Sequence, residues 1–343
     1  MLHAMFVSLQ RLVLTLAESA FAAAAIVCAQ PVSAVEPTAP STASLHEIEH
    51  IELPGVMGRI DHLAVDLDGQ LLFVAALGAD EVEVIDLRDG RRIARLTGFK
   101  EPQGVVYVPS LRRLFVAAGE SGQVVAFEGN KRVGVVTGLP DADNMRFFAP
   151  TGQVVVGYGH GLAFIDPATL AVVRRLSLPG HPEAFELAEH STAIYVNVPD
   201  LERVIVLDRD SGRTTSEWSL GGAASNYPMA LDEPSHRLYV GTRHPSKVVS
   251  YDTVSGRLLE SVPSCGDMDD LFVDRIRVQL LAVCGDGTID ILQGGAPENS
   301  KLRRIESSSG ARTGLFVPST RRLYVAAPKT WTSSAQVRVL RAE

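Results

Sequence analysis

One sentence is repeated along this chain, and the repeat constrains the fold more than any other feature. LLFVAA begins at Leu71, and LRRLFVAA, HRLYVGT and RRLYVAA at residues 111–118, 236–242 and 321–327 match it. With Phe73 as anchor, the equivalent positions are Phe115, Val155, Tyr195, Tyr239, Leu281 and Tyr324, at steps of 42, 40, 40, 44, 42 and 43 residues by subtraction. Within one period, residues 59–92 carry apolar runs at 62–65, 71–76 and 82–87, separated by Asp68-Gly69, Gly78-Ala79-Asp80 and Asp89-Gly90. Short β-branched and aromatic runs between Gly/Asp turns read as antiparallel strands joined by hairpins. A fourth run, 92–96, completes a meander. Four strands per period of about 40–45 residues is the signature of a propeller blade. One meander cannot bury both of its apolar faces, whereas blades stacked radially cover each other and leave only short edges. The expected fold is therefore all-β: a seven-bladed β-propeller of four-stranded blades.

The blades fall at residues 60–96, 104–136, 145–178, 185–220, 229–262 and 271–305, with a seventh made of runs at 313–317, 322–326 and 336–340. The seventh lacks a fourth strand. Residues 46–53 (HEIEHIEL) form an alternating strand with no partner of its own, and its Leu-Pro-Gly ending matches that of an outermost strand at 176–180. The N-terminal strand is expected to complete the last blade and close the ring.

At 343 residues the length alone suggests two domains, but the repeat overrides it and predicts one propeller over 46–343. An apolar content of 46% suffices for a large core. Arg11, an apolar run over 12–26 and Pro31-Val-Ser-Ala34 read as a signal peptide, cleaved after Ala34. Residues 35–45 read as a Pro/Thr/Ser linker. The expected location is periplasmic or secreted. Net charge is −8, and removing the leader takes away Arg11 and Glu18, which cancel. An acidic surface without a Lys/Arg cluster argues against nucleic acid and against anionic membrane. No membrane insertion is expected after cleavage, and the chain is expected to be a monomer.

Cys265 and Cys284 survive cleavage, and export would place them where disulfides persist. Cys265 lies in the loop entering blade six, and Cys284 follows that blade's second strand. An antiparallel pair returns them to one face, so a bridge is geometrically reasonable; the alternative is two free thiols.

Several strings mimic sites. Gly157-Tyr-Gly159-His-Gly161 joins strand to strand, where a dinucleotide fingerprint must join strand to helix. Asp66-Leu-Asp68-Gly69 and Asp208-Arg-Asp210-Ser-Gly212 lack the bidentate Glu of a calcium loop and read as turns. Asp86, Asp166, Asp208 and Asp252 recur at the ends of third strands, which predicts a turn or cap role. Gly-x-Ser-x-Gly, Walker and Cys-x-x-Cys strings are absent from the sequence. With only Trp218 and Trp331, so is the repeated tryptophan docking motif of quinoprotein propellers.

The repeats RRLYVAA, HRLYVGT and LLFVAAL, each followed by a VEVIDLRDG-type strand and turn, resemble the YVTN-type β-propeller repeat family over residues 45–343. The tetrapeptide occurs in degenerate form as LFVA, LYVG, LYVA and IYVN. The resemblance implies a secreted or periplasmic bacterial binding or scaffold protein and says little about the ligand.

In a propeller, the loops entering the innermost strands gather on one face of the central channel. One alignment column there reads Asp61, Gln103, Asp143, Glu183, Tyr227, Asp269 and Arg312. The next reads His62, Gly104, Asn144, Ala184, Pro228, Asp270 and Thr313. Two residues before the first column stand Arg59, Glu101, Asp141, His181, Ser225, Asp267 and Gly310. Scaffold positions repeat from blade to blade, whereas these diverge, as site positions do. The candidate ligand-binding residues are Arg59, Asp61, His62, Glu101, Gln103, Asp143, Asn144, Arg146, Glu183, Asn226, Tyr227, Asp267, Asp269, Asp270 and Arg312. Converging carboxylates raise one another's pKa and suit a cation or a cationic or hydroxyl-rich ligand. His62 is expected to titrate near neutral pH.

Three functions stay open. The first is a binding protein for a small polar ligand, a metal ion or a protein partner at this mouth. The second is a metal-dependent hydrolase by analogy with gluconolactonase-like propellers, with Glu101 or Glu183, Asn144, Asn226 and Asp269 holding calcium. A transition metal on His62, Asp143, Glu183 and Asp269 is the other form of a divalent-cation site. The Glu-Gly-Pro string typical of that family is missing, Glu101-Pro102-Gln103 being nearest. The third is a non-catalytic interaction scaffold. No catalytic residue is assigned.

Overall fold

A computed structural model of the protein describes residues 45–293 and 303–343. The expected leader, and the linker up to residue 44, lie outside the described residues. The described chain forms seven four-stranded antiparallel sheets arranged as a ring, a seven-bladed β-propeller. Each of the first six blades is a sequential meander: blade one, for example, runs Leu63–Asp66, Leu71–Ala76, Glu81–Asp86 and Arg91–Leu96. The first strand of each blade lines the central channel and the last lies outermost.

Period-two alternation explains the packing. In the second strand of blade one, Leu72 and Val74 join a cluster with Tyr324 and Val339 of blade seven. Phe73 and Ala75, on the opposite face, join Leu114, Val116 and Phe127 of blade two. Both faces of each strand are thus buried, which is why these strands read as continuous apolar runs.

The ring closes as the sequence requires. Leu45–Glu52 pairs antiparallel with Gln336–Ala342, from Leu45 opposite Ala342 to Glu52 opposite Gln336. It begins one residue earlier than its sequence pattern suggests. The alternation expected along it is interrupted by a register shift between Glu47 and Glu49. One extra residue flips every following side chain to the other face. Leu45 accordingly packs on the blade six side, Ile51 and Leu53 pack on the blade one side, and Ile48 is left 42% exposed. Arg338 Nε donates to Glu47 Oε2 at 3.0 Å across the junction.

The recurrent aspartates have the turn role read for them. Asp86 accepts the N–H of Arg88 at 2.8 Å, Asp208 that of Ser211 at 2.7 Å and Asp252 that of Ser255 at 2.7 Å. Asp166 accepts from Ala168 and Thr169, both at 2.9 Å. Gly159 lies in the strand-to-strand turn between Gln153–Tyr158 and Gly161–Ile165, as expected. Cys265 and Cys284 form a disulfide with Cα atoms 5.9 Å apart, tying the loop that enters blade six to the end of its second strand.

Two measurements test this frame. Deleting residues 35–53 unburies Leu45, Ile51 and Leu53, each worth roughly 1.5–3 kcal/mol, and bares a sheet edge. The truncated protein is expected to unfold at markedly lower denaturant and to self-associate; an unchanged midpoint would show that the strand contributes nothing. Replacing both Cys265 and Cys284 by Ser is expected to cost about 3 kcal/mol by the loop-entropy argument. Denatured, unreduced wild type should show no free thiol at either position.

Candidate ligand site at the channel mouth

Backbone pairing decides where each candidate side chain starts. The Asp61 N–H donates to Ala75 O at 2.7 Å, that of Asp143 to Gly157 O at 3.0 Å, and that of Glu183 to Asn197 O at 3.0 Å. The first alignment column is therefore one structural level, where each entering loop meets the end of its blade's second strand. Gly104 shows how tight this level is: a Cβ there would stand 2.1 Å from the Asp143 carbonyl oxygen of the next blade.

A cavity of about 410 Å³ opens at this level. Ten of the candidates line it: Arg59, Asp61, His62, Asp143, Asn144, Arg146, Glu183, Tyr227, Asp269 and Asp270. The other five do not. Glu101 is exposed and left-handed at φ 50°, with its carbonyl accepting the Gly119 N–H at 3.0 Å. Gln103 packs against Gly119 instead. Asn226 is fully buried and donates to Asn197 Oδ1 at 3.0 Å and to the Arg203 carbonyl at 2.9 Å, which makes it a link between blades four and five. Asp267 and Arg312 pair with each other at 2.8 Å outside the cavity lining. The calcium set of Glu101 or Glu183, Asn144, Asn226 and Asp269 is therefore not assembled. Neither is the set of His62, Asp143, Glu183 and Asp269. The group among the described residues whose ligand atoms come together is Asp143, His181 and Glu183, within 4.8 Å of one another.

The outlying column fails for a backbone reason. Glu101, Asp141, Ser225 and Asp267 all have φ between 50° and 59°, and Gly310 has φ 80°. In five blades this position is a left-handed turn, which favours Gly, Asn and Asp. Its polarity there reflects backbone conformation. Arg59 and His181 are the two exceptions, and both bring their side chains to the mouth.

Two residues of the site lay beyond the candidates: Glu186, which lines the cavity, and Arg243, which contacts the lining residues Tyr227 and Asp269. Glu186 and Arg146 stand two residues inside the second column, in equivalent positions of neighbouring blades, 3.6 Å apart. Alternation along the innermost strand signals both, since i and i+2 share the channel face. Arg243 comes from the longer second strand of blade five, Arg237–His244, and stacks over the Tyr227 ring at 3.8 Å. It donates to Asp269 and to the Met268 carbonyl, the latter at 3.1 Å, and lies 3.4 Å from Asp267.

The charges are partitioned unevenly. Asp61, 1% exposed, accepts from Arg59 at 3.1 Å. Asp269 has Arg243 and, at 3.8 Å, Arg59. Asp270 accepts the Gly314 N–H at 2.7 Å. Glu186 has Arg146. Asp143 and Glu183 make none of the ion pairs found among the described residues. Asp143 Oδ1 and Asp269 Oδ2 are buried without a hydrogen-bond partner.

Burial, reinforced by neighbouring carboxylates, pushes Asp143 well above the usual carboxylate range. Burial raises Glu183 to about 7, Asp269 to about 6 and Asp270 to about 7. His62 departs from expectation: burial lowers its pKa, outweighing the pull of Asp61, so the neutral ring is favoured at pH 7. Near neutrality the carboxylates are therefore the titrating groups.

The sign of the resulting pH dependence follows. Asp270 titrates at about 7 in the fold and about 4 in an unfolded chain. Between these values the folded protein holds a proton that the unfolded chain has lost. Its stabilising contribution is complete below pH ~4 and is lost as pH rises through about 7. With 16% of its side chain still open to the cavity, a contribution of roughly 1–2 kcal/mol is expected. Asp270→Asn keeps an acceptor for Gly314 and removes the titration. Denaturant unfolding at pH 5 and pH 8 should show a smaller loss of stability in the variant; equal losses would mean that Asp270 ionises freely.

Comparison with known proteins locates the fold and no more. No family model matches the chain, and no curated protein does. Among solved structures, a chain of Kuenenia stuttgartiensis hydrazine synthase superposes with a TM-score of 0.72 at 14% identity, covering 83% of this chain and 98% of that one. The similarity is one of propeller architecture.

Proposed function

We propose that the protein is an exported, YVTN-type propeller that binds a small cationic or hydroxyl-rich ligand at the channel mouth. The observation that carries this is the convergence of six carboxylates, Asp61, Asp143, Glu183, Glu186, Asp269 and Asp270, on one cavity of about 410 Å³. Three arginines, Arg59, Arg146 and Arg243, stand against them, leaving an excess of three acids when all are ionised. A volume in the range of about 300–1,000 Å³ suits a small molecule. Buried, unpartnered carboxylate oxygens cost stability unless something donates to them. An organic ammonium or a polyol supplies such donors, and Arg59 is placed to meet a carboxylate or phosphate on the same molecule. Export is supported by the disulfide, which persists in oxidising compartments. No helix among the described residues is long and apolar enough to cross a membrane.

The test is calorimetry and thermal shift on the mature protein in chelator-treated buffer, with spermidine, choline, an amino sugar and a neutral polyol as probes. At least one probe is expected to bind with a raised unfolding temperature. The double variant Asp269→Asn/Asp270→Asn should weaken that binding by about tenfold or more, since each charged hydrogen bond is worth roughly 1.5–3 kcal/mol. Failure of every probe to bind, or equal binding by the variant, would reject the reading.

A further inference from the structure

Asp143, His181 and Glu183 stand apart from the other polar groups of the mouth. They come from the loops entering blades three and four, and one ligand atom from each lies within 4.8 Å of the other two. We propose that these three residues form a binding site for one divalent first-row transition ion, at the edge of the cavity. The inference deepens the ligand reading above and rests on the same mouth being a binding site.

Four observations bear on it. First, cationic side chains reach Asp61, Asp269 and Glu186 but form no ion pair with Asp143 or Glu183. Arg146 of blade three pairs with Glu186 of blade four further along their strands, which leaves Asp143 and Glu183 without an ion pair at the level of the cluster. Second, Asp143 is 91% buried by difference from its 9% exposure, and its Oδ1 has no hydrogen-bond partner. A buried carboxylate oxygen without a donor is an expensive arrangement unless a cation meets it. Third, the His181 ring is held by acceptors on one nitrogen. Its Nδ1 lies 3.0 Å from the Gly159 carbonyl and 3.2 Å from Asp141 Oδ2, both acceptors. In the neutral ring these acceptors place the hydrogen on Nδ1 and the lone pair on Nε2. Metal-bound histidines are held in this way by a carbonyl or carboxylate on the other nitrogen. Fourth, His181 occupies the column that is a left-handed turn in five other blades, yet its own φ is not positive. Blade four departs from the repeat where an imidazole replaces a turn residue.

The donor set selects the ion class. One imidazole with two carboxylates suits zinc, cobalt, manganese or ferrous iron; calcium takes six to eight oxygens and has no use for an imidazole. Ligand atoms about 2.0–2.2 Å from a zinc-class ion stand roughly 3.4 Å apart. The three ligand atoms, all within 4.8 Å of one another, would have to draw in to that spacing around the ion. Three protein ligands leave at least one coordination position, facing the cavity that Asp143 and Glu183 line. An ion there would hold an oxygen or nitrogen of the bound molecule directly.

The experiment uses the mature protein, stripped with chelator and dialysed. It is titrated with Zn²⁺ by calorimetry and with Co²⁺ by visible absorption, with Ca²⁺ as control. One equivalent of Zn²⁺ is expected, with a Co²⁺ ligand-field spectrum and much weaker Ca²⁺ binding. His181→Gln and Asp143→Asn should each weaken Zn²⁺ binding at least tenfold. A readout independent of variant folding is the imidazole ¹⁵N spectrum of wild type, in which His181 Nε2 should shift on Zn²⁺ addition. Absence of stoichiometric uptake, unchanged affinity in both variants, or an unshifted His181 ring would overturn the site. A protein that binds an organic cation but no Zn²⁺ rejects the metal site and keeps the ligand reading. One that binds Zn²⁺ through His181 but no organic probe does the reverse.

Discussion

A four-stranded blade with two apolar faces has no stable existence alone, and everything else in this molecule depends on satisfying that constraint. Six blades cover each other in sequence order. The seventh can be covered on its second face only if the ring closes, and the chain closes it with its first described strand. Ile51 and Leu53 sit in the same cluster as Leu72 of blade one and Tyr324 of blade seven. The register shift near Ile48 lets one strand serve two neighbours, with Leu45 turned to the blade six side. Closure also creates the functional geometry. A channel mouth lined from all sides exists only in a closed ring, and the carboxylates of blades one, three, four and six meet only there.

The repeat made this fold legible because identical physical demands recur at identical positions. It also separated demands that hold everywhere, such as the Asp86-type turn caps, from positions that vary. Divergence alone was an imperfect guide to the site. Glu101 and Asp267 diverge because a left-handed turn residue need only be small or polar, while its side chain points elsewhere. Asn226 diverges because blade five uses it to bind Asn197 and the Arg203 carbonyl in the adjoining blade. Arg243 could not be found from the columns, since it rides on a strand longer than its counterparts. Glu186 lay within reach of simple alternation. His181 stood in a column whose backbone role hid its exception.

The mouth concentrates a destabilising arrangement in one place. Carboxylates at partial burial raise one another's pKa, and burial is the larger cause for Asp143, Glu183, Asp269 and Asp270 alike. Such groups are poor contributors to folding, and their removal from a purely structural channel would stabilise it. Elsewhere the same protein pairs its buried acids with arginine, although Glu83, held by Arg92, keeps one oxygen without a hydrogen bond. Asp290 receives two hydrogen bonds from Arg304 at 2.7 and 2.8 Å, and Asp274 is paired with Arg277 at 3.0 Å. The contrast between a scaffold that pairs its buried acids and a mouth that leaves Asp143 and Glu183 without an ion pair is what binding would require.

The partition within the mouth carries the argument one step further. On the side of blades five, six and one, Arg59 and Arg243 pair with Asp61 and Asp269, cations that cannot leave, while Asp270 has the Gly314 N–H and lies 3.9 Å from His62. Those arginines fix the carboxylates in place and offer spare donors to an anionic group. On the side of blades three and four, Arg146 is taken by Glu186, while Asp143 and Glu183 face the cavity with His181 as their neighbour and no ion pair of their own. A ligand filling the cavity therefore meets two chemically distinct walls. Its cationic or metal-binding part belongs against blades three and four, and any anionic part against blades six and one. A uniformly acidic ring would bind a cation in any orientation; a ring that pairs Asp61 and Asp269 with arginine and leaves Asp143 and Glu183 open would favour one direction across the channel.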